Sequence, residues 1–139
     1  MITTMRKVKY PAQFQYLDEI REFVAEVARK GGFGEKEVYS IQLAADEAAS
    51  NIIEHAYAGV KNGSLEVSCG MQGDVITIIL RDQGRPFNPD SVQPPNLKAD
   101  LSDRQIGGLG IYLMRKLMDD VRYETSSRGN SLTLIKRRN

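Results

Sequence analysis

The chain has 139 residues, and its 19 basic and 18 acidic side chains give a formal net charge of +1 at pH 7. This length fits a single domain spanning 1–139, and the balanced charge gives no general attraction to nucleic acid or to membrane surfaces. The single cysteine, Cys69, excludes an internal disulfide and favours a reducing compartment. Without a membrane-length apolar run or a signal-peptide pattern, a cytoplasmic location is expected.

Hydrophobic periodicity and turn residues divide the chain into strands and helices. In chain order, the predicted elements are an edge strand over 2–9, a helix from Phe14 to the glycines at 31–32, a helix over about 35–57, strands over 64–71 and 75–82, a helix over about 109–119, and strands over 121–126 and 131–137. The hairpins and three helices predict an α+β fold: a two-layer sandwich with a mostly antiparallel sheet and the helices on one face.

The second helix carries an unusual polar edge. Glu47, Asn51 and His55 are spaced four residues apart, so they are expected to stack beside an apolar stripe of the same helix. Asn51 could offer a neutral oxygen to a hard cation such as Mg²⁺, and Glu47 could accept a proton. A solvated helix edge with a half-buried histidine is the alternative.

The strand over 75–82 ends in a carboxylate. Asp82 continues the row of Ile76, Ile78 and Leu80 on one face, where burial of a charge requires a donor. A ligand amino group is one candidate donor, and Gly84 would allow close approach of that ligand. Alternatively, the strand ends at Arg81 and Asp82 begins an ordinary Asp-x-Gly turn.

A glycine run precedes the third helix. Gly107, Gly108 and Gly110 would expose backbone N–H groups at a helix N-terminus, which favours a phosphate. Hinges for a lid are the alternative, and the two are compatible. The loop before this run holds several prolines, and a long loop in a compact domain is usually functional or disordered. The basic residues at 136–138 are expected to form a solvated tail.

Three segments in this order resemble the motifs of the GHKL, or Bergerat-fold, ATPases. They are DEAASNIIEHAY, RDQGRPFNP and GGLGIYLMRKLMDDV, which resemble the N box, the Asp-x-Gly box and the Gly-x-Gly box. The match is closest to the small bacterial anti-sigma-factor serine/threonine kinases. The resemblance implies the Bergerat fold and the binding of ATP and Mg²⁺.

The resemblance also implies roles for single residues. Asp82 would receive the adenine amino group, and Gly84 would line the adenine pocket. Asn51 would hold Mg²⁺, and Glu47 would be the catalytic base toward a protein serine or threonine.

The phosphates and the lid follow from the same resemblance. Gly108, Leu109 and Gly110 would border the phosphates, and residues 87–106 would form the ATP lid. Either Lys98 or Arg104 would meet the γ-phosphate.

The implied function is a regulatory switch kinase. It would bind a sigma factor or a similar protein and phosphorylate a small STAS-like antagonist. The alternative is a nucleotide-gated protein-binding module without significant kinase activity, although Glu47 favours the kinase. A homodimer is compatible with the apolar residues of the first helix.

Overall fold

The computed structural model describes residues 5–57, 62–86 and 108–139. Within these ranges the chain forms three α-helices and five strands. The elements are β1 (Arg6–Pro11), α1 (Leu17–Lys30), α2 (Glu35–Asn51), β2 (Ser64–Gln72), β3 (Val75–Asp82), α3 (Gly108–Leu117), β4 (Asp120–Ser126) and β5 (Gly129–Arg137). A short 3₁₀ turn, Phe14–Tyr16, precedes α1, and a π-helix, Ile52–Ala56, follows α2.

The five strands form one antiparallel sheet in the order β1-β2-β3-β5-β4. Side chains of successive strand residues point to opposite faces, so alternate apolar residues collect on one face. Leu65, Ile78, Leu80 and Leu134 are buried on that face. The predicted edge strand is confirmed as β1.

The helices cover this apolar face and complete the core. Helix α1 buries Ile20 and Val24, α2 buries Ile41 and four alanines, and α3 buries Met114. The predicted two-layer α+β sandwich is therefore confirmed. The buried apolar residues of α1 belong to this core.

The periodicity predicts an α-helix as far as Tyr57, but α2 ends at Asn51. Beyond Asn51 the chain widens into the π-helix, in which the Tyr57 N–H donates to the carbonyl of Ile52 at 3.2 Å. A tertiary contact lies at the end of this segment, where the Ala56 carbonyl accepts a hydrogen bond from the Arg85 N–H at 2.8 Å. His55 therefore does not continue the α-helical stack of Glu47 and Asn51.

The turn between the last two strands is also tighter than predicted. Asn130 lies within β5 rather than in the turn, and it pairs with both Asp82 on β3 and Thr125 on β4. Gly129 has a φ of 123°, which permits this short connection. The shift brings Asn130 to the end of the sheet where Asp82 lies.

Two of the basic residues near the C-terminus, Lys136 and Arg138, bind helix ends instead of forming a solvated tail. The Lys136 ammonium donates to the carbonyl of Leu117 at 3.0 Å, at the C-terminal end of α3. The Arg138 guanidinium donates to the carbonyl of Gly31, just after α1. Cations at helix C-termini satisfy free carbonyls and complement the helix dipole. These two side chains therefore connect the C-terminal ends of α3 and α1 to the last strand by hydrogen bonds.

Cys69 is buried on the inner face of β2, as its alternation with apolar residues predicts. Burial raises the pKa of its thiol to about 12. The thiol is therefore protonated at neutral pH and serves as a small core residue.

Candidate nucleotide-binding site

A pocket opens between α2, the end of β3, α3 and the last two strands. Its walls are mostly apolar, and a few polar groups converge on it. The lining residues are Ala48, Asn51, Ile52, Ala56, Asp82, Arg85, Met114, Tyr123 and Leu132. An apolar cleft with a small number of placed polar groups is the usual form of a small-molecule site.

Asp82 is the buried acceptor of this pocket, with 5% of its surface exposed. It is the last residue of β3, and its Oδ1 accepts the Gly84 N–H at 2.9 Å. The same oxygen accepts the Asn130 side-chain amide at 2.9 Å. The strand therefore does not end at Arg81, as the alternative reading required, although Asp82 also begins an Asp-x-Gly turn through its bond to the Gly84 N–H.

Gly84 has a structural reason to be glycine that is separate from any ligand. A Cβ at this position would lie 2.3 Å from the carbonyl oxygen of Ala56. Gly84 is not among the residues that line the pocket. The missing side chain therefore allows the turn after β3 to pack directly against the end of the π-helix.

Tyr57 joins the same two segments through its hydroxyl group. The hydroxyl donates to the carbonyl of Ser64 at 2.7 Å and accepts the Gln83 N–H at 2.7 Å. The end of the helical segment, the start of β2 and the end of β3 are thereby held together. The positions of Asn51 and Asp82 relative to each other depend on this junction.

Asn51 lines the pocket with only 7% of its surface exposed. Its Nδ2 atom is buried and has no hydrogen-bond partner among the described residues. Buried polar groups are nearly always paired, so this N–H group is a candidate donor to a ligand in the pocket.

Glu47 lies one helical turn before Asn51 and is only partly exposed. Burial raises the pKa of its carboxyl, and the negative charges of Asp46 and Glu54 raise it further. Asp46 itself is ion-paired with Arg21 on α1. Glu47 is not among the pocket-lining residues, so its place is beside the pocket and close to Asn51.

The third motif is described only in part. Helix α3 begins at Gly108 and contributes Met114 to the pocket. The proposed contacts of Gly108, Leu109 and Gly110 with phosphates stay predictions. The lid at 87–106, with Lys98 and Arg104, lies outside the described residues.

Sequence reasoning missed four residues at this site: Arg85, Tyr123, Thr125 and Asn130. Arg85 and Tyr123 line the pocket, and Asn130 is hydrogen-bonded to Asp82. A signal for Asn130 was present, because it begins an inner row that continues with Leu132 and Leu134. A polar residue at the head of an apolar row needs a buried partner.

The polar groups of Asp82 and Asn51 suit a purine with an amino group and a magnesium ion. Asp82 supplies an acceptor between apolar walls, which matches the amino edge of adenine. The Oδ1 atom of Asn51 is a neutral oxygen of the kind that binds Mg²⁺ together with phosphate oxygens, and its Nδ2 atom could donate to a ligand oxygen. The described residues contain no cluster of three or more His, Cys, Asp or Glu side chains that could hold a metal ion.

Residues 10–136 match the model of the family described as the histidine kinase-like ATPase domain, and the chain belongs to this family. Serine-protein kinase RsbW of Bacillus subtilis is 35% identical over 128 residues, covering 87% of this chain and 78% of the relative. Serine-protein kinase RsbW of Oceanobacillus iheyensis is 28% identical over 120 residues, covering 84% and 76%.

Solved structures show the same fold. A structure of the RsbU and RsbW domains of a Mycobacterium tuberculosis protein matches with a TM-score of 0.69 and 19% identity, covering 97% of this chain and 32% of that one. The catalytic domain of histidine kinase ThkA matches with a TM-score of 0.56 and 13% identity, covering 96% and 97%.

These comparisons confirm the predicted superfamily and its closest branch, and the names of the relatives agree with the predicted serine/threonine kinase. None of the helices within the described ranges combines the length and the apolar character that crossing a membrane requires.

Proposed function

We propose that this chain is an ATP-dependent protein serine/threonine kinase that acts as an anti-sigma-factor-type switch. It binds a sigma factor or another regulatory protein in the cytoplasm and phosphorylates a small STAS-like antagonist, without binding nucleic acid directly. The similarity to proteins named serine-protein kinase, which extends over 78% of the length of the Bacillus subtilis relative, supports this proposal. A homodimer stays a separate prediction.

The observation that carries the proposal is the pocket that contains both Asp82 and the unpaired amide of Asn51. We assign the adenine amino group to Asp82 and the edge of the adenine pocket to Gly84. Asn51 would hold Mg²⁺, which when bound would neutralise charge on the nucleotide phosphates.

The remaining residues act around the phosphates. Backbone N–H groups of Gly108, Leu109 and Gly110 would bind phosphate oxygens at the start of α3. A lid cation, Lys98 or Arg104, would meet the γ-phosphate. These assignments extend the site toward the segment at 87–106.

Glu47 is the proposed catalytic base. The serine or threonine hydroxyl oxygen of the substrate forms a bond to the γ-phosphorus, the bond from that phosphorus to the bridging oxygen of ADP breaks, and the hydroxyl proton passes to the Glu47 carboxylate. The raised pKa of Glu47 makes the carboxylate a stronger proton acceptor than an exposed glutamate.

A nucleotide-gated binding module is the second candidate, and the part-buried Glu47 argues against it. A carboxylate raised in pKa by burial costs folding free energy, which a module without chemistry would have no reason to keep.

Single-turnover transfer of labelled γ-phosphate to a STAS-domain protein tests the proposal. We expect Glu47→Gln to retain Mg·ATP affinity and to slow transfer by about 10²–10⁴-fold. Asn51→Ala should instead lose Mg²⁺-dependent ATP binding.

Glu22→Gln is the matched control, because Glu22 is an exposed carboxylate on α1 and is not among the groups that shift the pKa of Glu47. It should transfer phosphate near the wild-type rate. A wild-type rate for Glu47→Gln would exclude Glu47 as the base and favour the binding module.

A further inference from the structure

Three polar side chains from three strand ends form a chain of hydrogen bonds behind the pocket. The Thr125 hydroxyl donates to Asn130 Oδ1 at 2.6 Å. Asn130 Nδ2 donates to Asp82 Oδ1 at 2.9 Å and to the carbonyl of Gly84 at 3.0 Å. Asn130 has only 4% of its surface exposed and its bond to Asp82 is buried, whereas Thr125 is exposed.

The direction of this chain is fixed by its chemistry. A side-chain amide has an acceptor oxygen on one side and two N–H donors on the other. Because Thr125 occupies the oxygen of Asn130, both N–H donors face Asp82 and Gly84. Asn130 therefore has no donor left for a ligand, and its role is to hold Asp82.

Holding Asp82 in this way determines what the pocket can accept. Oδ1 of Asp82 already receives Asn130 and the Gly84 N–H, so Oδ2 is the oxygen left for a ligand donor. An ionised carboxylate only accepts hydrogen bonds. A purine with a 6-amino group supplies the needed donor, whereas a purine with a 6-oxo group presents a second acceptor.

We propose that Asn130, oriented by Thr125, is the positioning residue that makes the site select a 6-amino purine over a 6-oxo purine. This inference rests on the proposed nucleotide site. Without the amide of Asn130, Asp82 could rotate, and its carboxylate would no longer be held where it accepts from a 6-amino group and disfavours a 6-oxo group.

The test compares the affinities of ATP and ITP, which differ in the amino or oxo group at position 6 and in the hydrogen that the oxo form carries on N1. Calorimetry is performed on the full chain and on Asn130→Leu, which keeps the side-chain volume and removes the donors. We expect the ATP-to-ITP affinity ratio to fall by at least about tenfold in Asn130→Leu. Thr125→Val, which frees the Asn130 amide to turn over, should give a smaller fall of about threefold.

Ser131→Ala is the control, since Ser131 lies next to Asn130 on β5 and its side chain points to the opposite face of the sheet. Its ratio should equal that of the wild type. If Asn130→Leu does not fold, Thr125→Val decides the question with the same ratio.

The outcomes separate this inference from the proposed function. A wild type that prefers ATP, with an unchanged ratio in both variants, overturns the role of Asn130 alone. Equal losses of ATP and ITP affinity also overturn it, because they indicate a merely structural effect. A wild type that binds neither nucleotide overturns the proposed site and this inference together.

Discussion

Gly84 lies directly against the end of the helical segment that carries Asn51, where an added Cβ would come within 2.3 Å of the Ala56 carbonyl oxygen. The next residue strengthens this contact, because the Arg85 N–H donates to the same carbonyl at 2.8 Å. Two of the three sequence motifs are therefore in backbone contact, and the pocket between them depends on that contact.

Replacing Gly84 with alanine should consequently disturb both the fold and the site. The clash is with backbone, which cannot move as a side-chain end can, so we expect a loss of roughly 1–3 kcal/mol in the free energy of unfolding. Urea denaturation measures the loss. Gly34→Ser is the control, since nothing lies within 4 Å of a Cβ there and serine is a favourable N-cap for α2. Equal stabilities of the two variants would contradict this explanation.

The hydroxyl group of Tyr57 offers a second test of the same junction. Tyr57→Phe removes the acceptor of the Gln83 N–H and the donor to the Ser64 carbonyl, and we expect a loss of about 1–3 kcal/mol. Tyr39→Phe is the matched control, because Tyr39 is 67% exposed and its change should have little effect. Thermal and urea unfolding of the pair measure the difference, and a neutral Tyr57→Phe would show that the junction is not stabilising.

Lys136→Met tests the fastening of α3 to the sheet. The methionine keeps most of the aliphatic stem but loses the bond to the Leu117 carbonyl, so stability should fall by about 1 kcal/mol. Arg137→Gln serves as the comparison, since the Arg137 side chain is 69% exposed and its guanidinium lies as far as 4.0 Å from the Asp74 carboxylate. Exposed ion pairs of this kind contribute little. If both variants lose the same stability, the cap on α3 is not responsible.

The architecture was predictable from the sequence because apolar periodicity determines both the elements and their buried faces. The π-helix was not, since it depends on contacts of Ala56 and Tyr57 with Arg85 and Gln83, which are distant in sequence. The pairing of Asn130 with Asp82 escaped prediction for a related reason. A single-residue shift in the turn before β5 decides whether Asn130 is a turn residue or a buried partner.

The pKa of Glu47 predicts a pH dependence of stability. Its folded pKa is raised, mainly by burial, so the carboxylate destabilises the fold as the pH rises through and above that pKa. Glu47→Gln should therefore be more stable than wild type at pH 7, and the difference should vanish below the ordinary glutamate pKa of about 4.3.

Glu26→Gln provides a control of opposite sign. Hydrogen bonds from Lys30 and Arg6 lower the pKa of Glu26, so its ionised form stabilises the fold above the ordinary pKa, and this is lost as the pH falls through the lowered value. The variant should be slightly less stable than wild type at pH 7. Thermal unfolding from pH 3 to 8 measures both, and a destabilised Glu47→Gln at pH 7 would contradict the electrostatic argument.

The central claim is that Asp82 recognises the adenine of ATP in the pocket beside Asn51, and calorimetry of ATP binding to Asp82→Asn tests it most directly. Replacing an ionised acceptor with an amide should weaken ATP affinity by roughly 10–100-fold, because hydrogen bonds to charged groups are the stronger ones. Asp74→Asn, a change in the exposed turn between β2 and β3, should leave the affinity unchanged. Equal ATP affinities for the wild type and Asp82→Asn would contradict the claim.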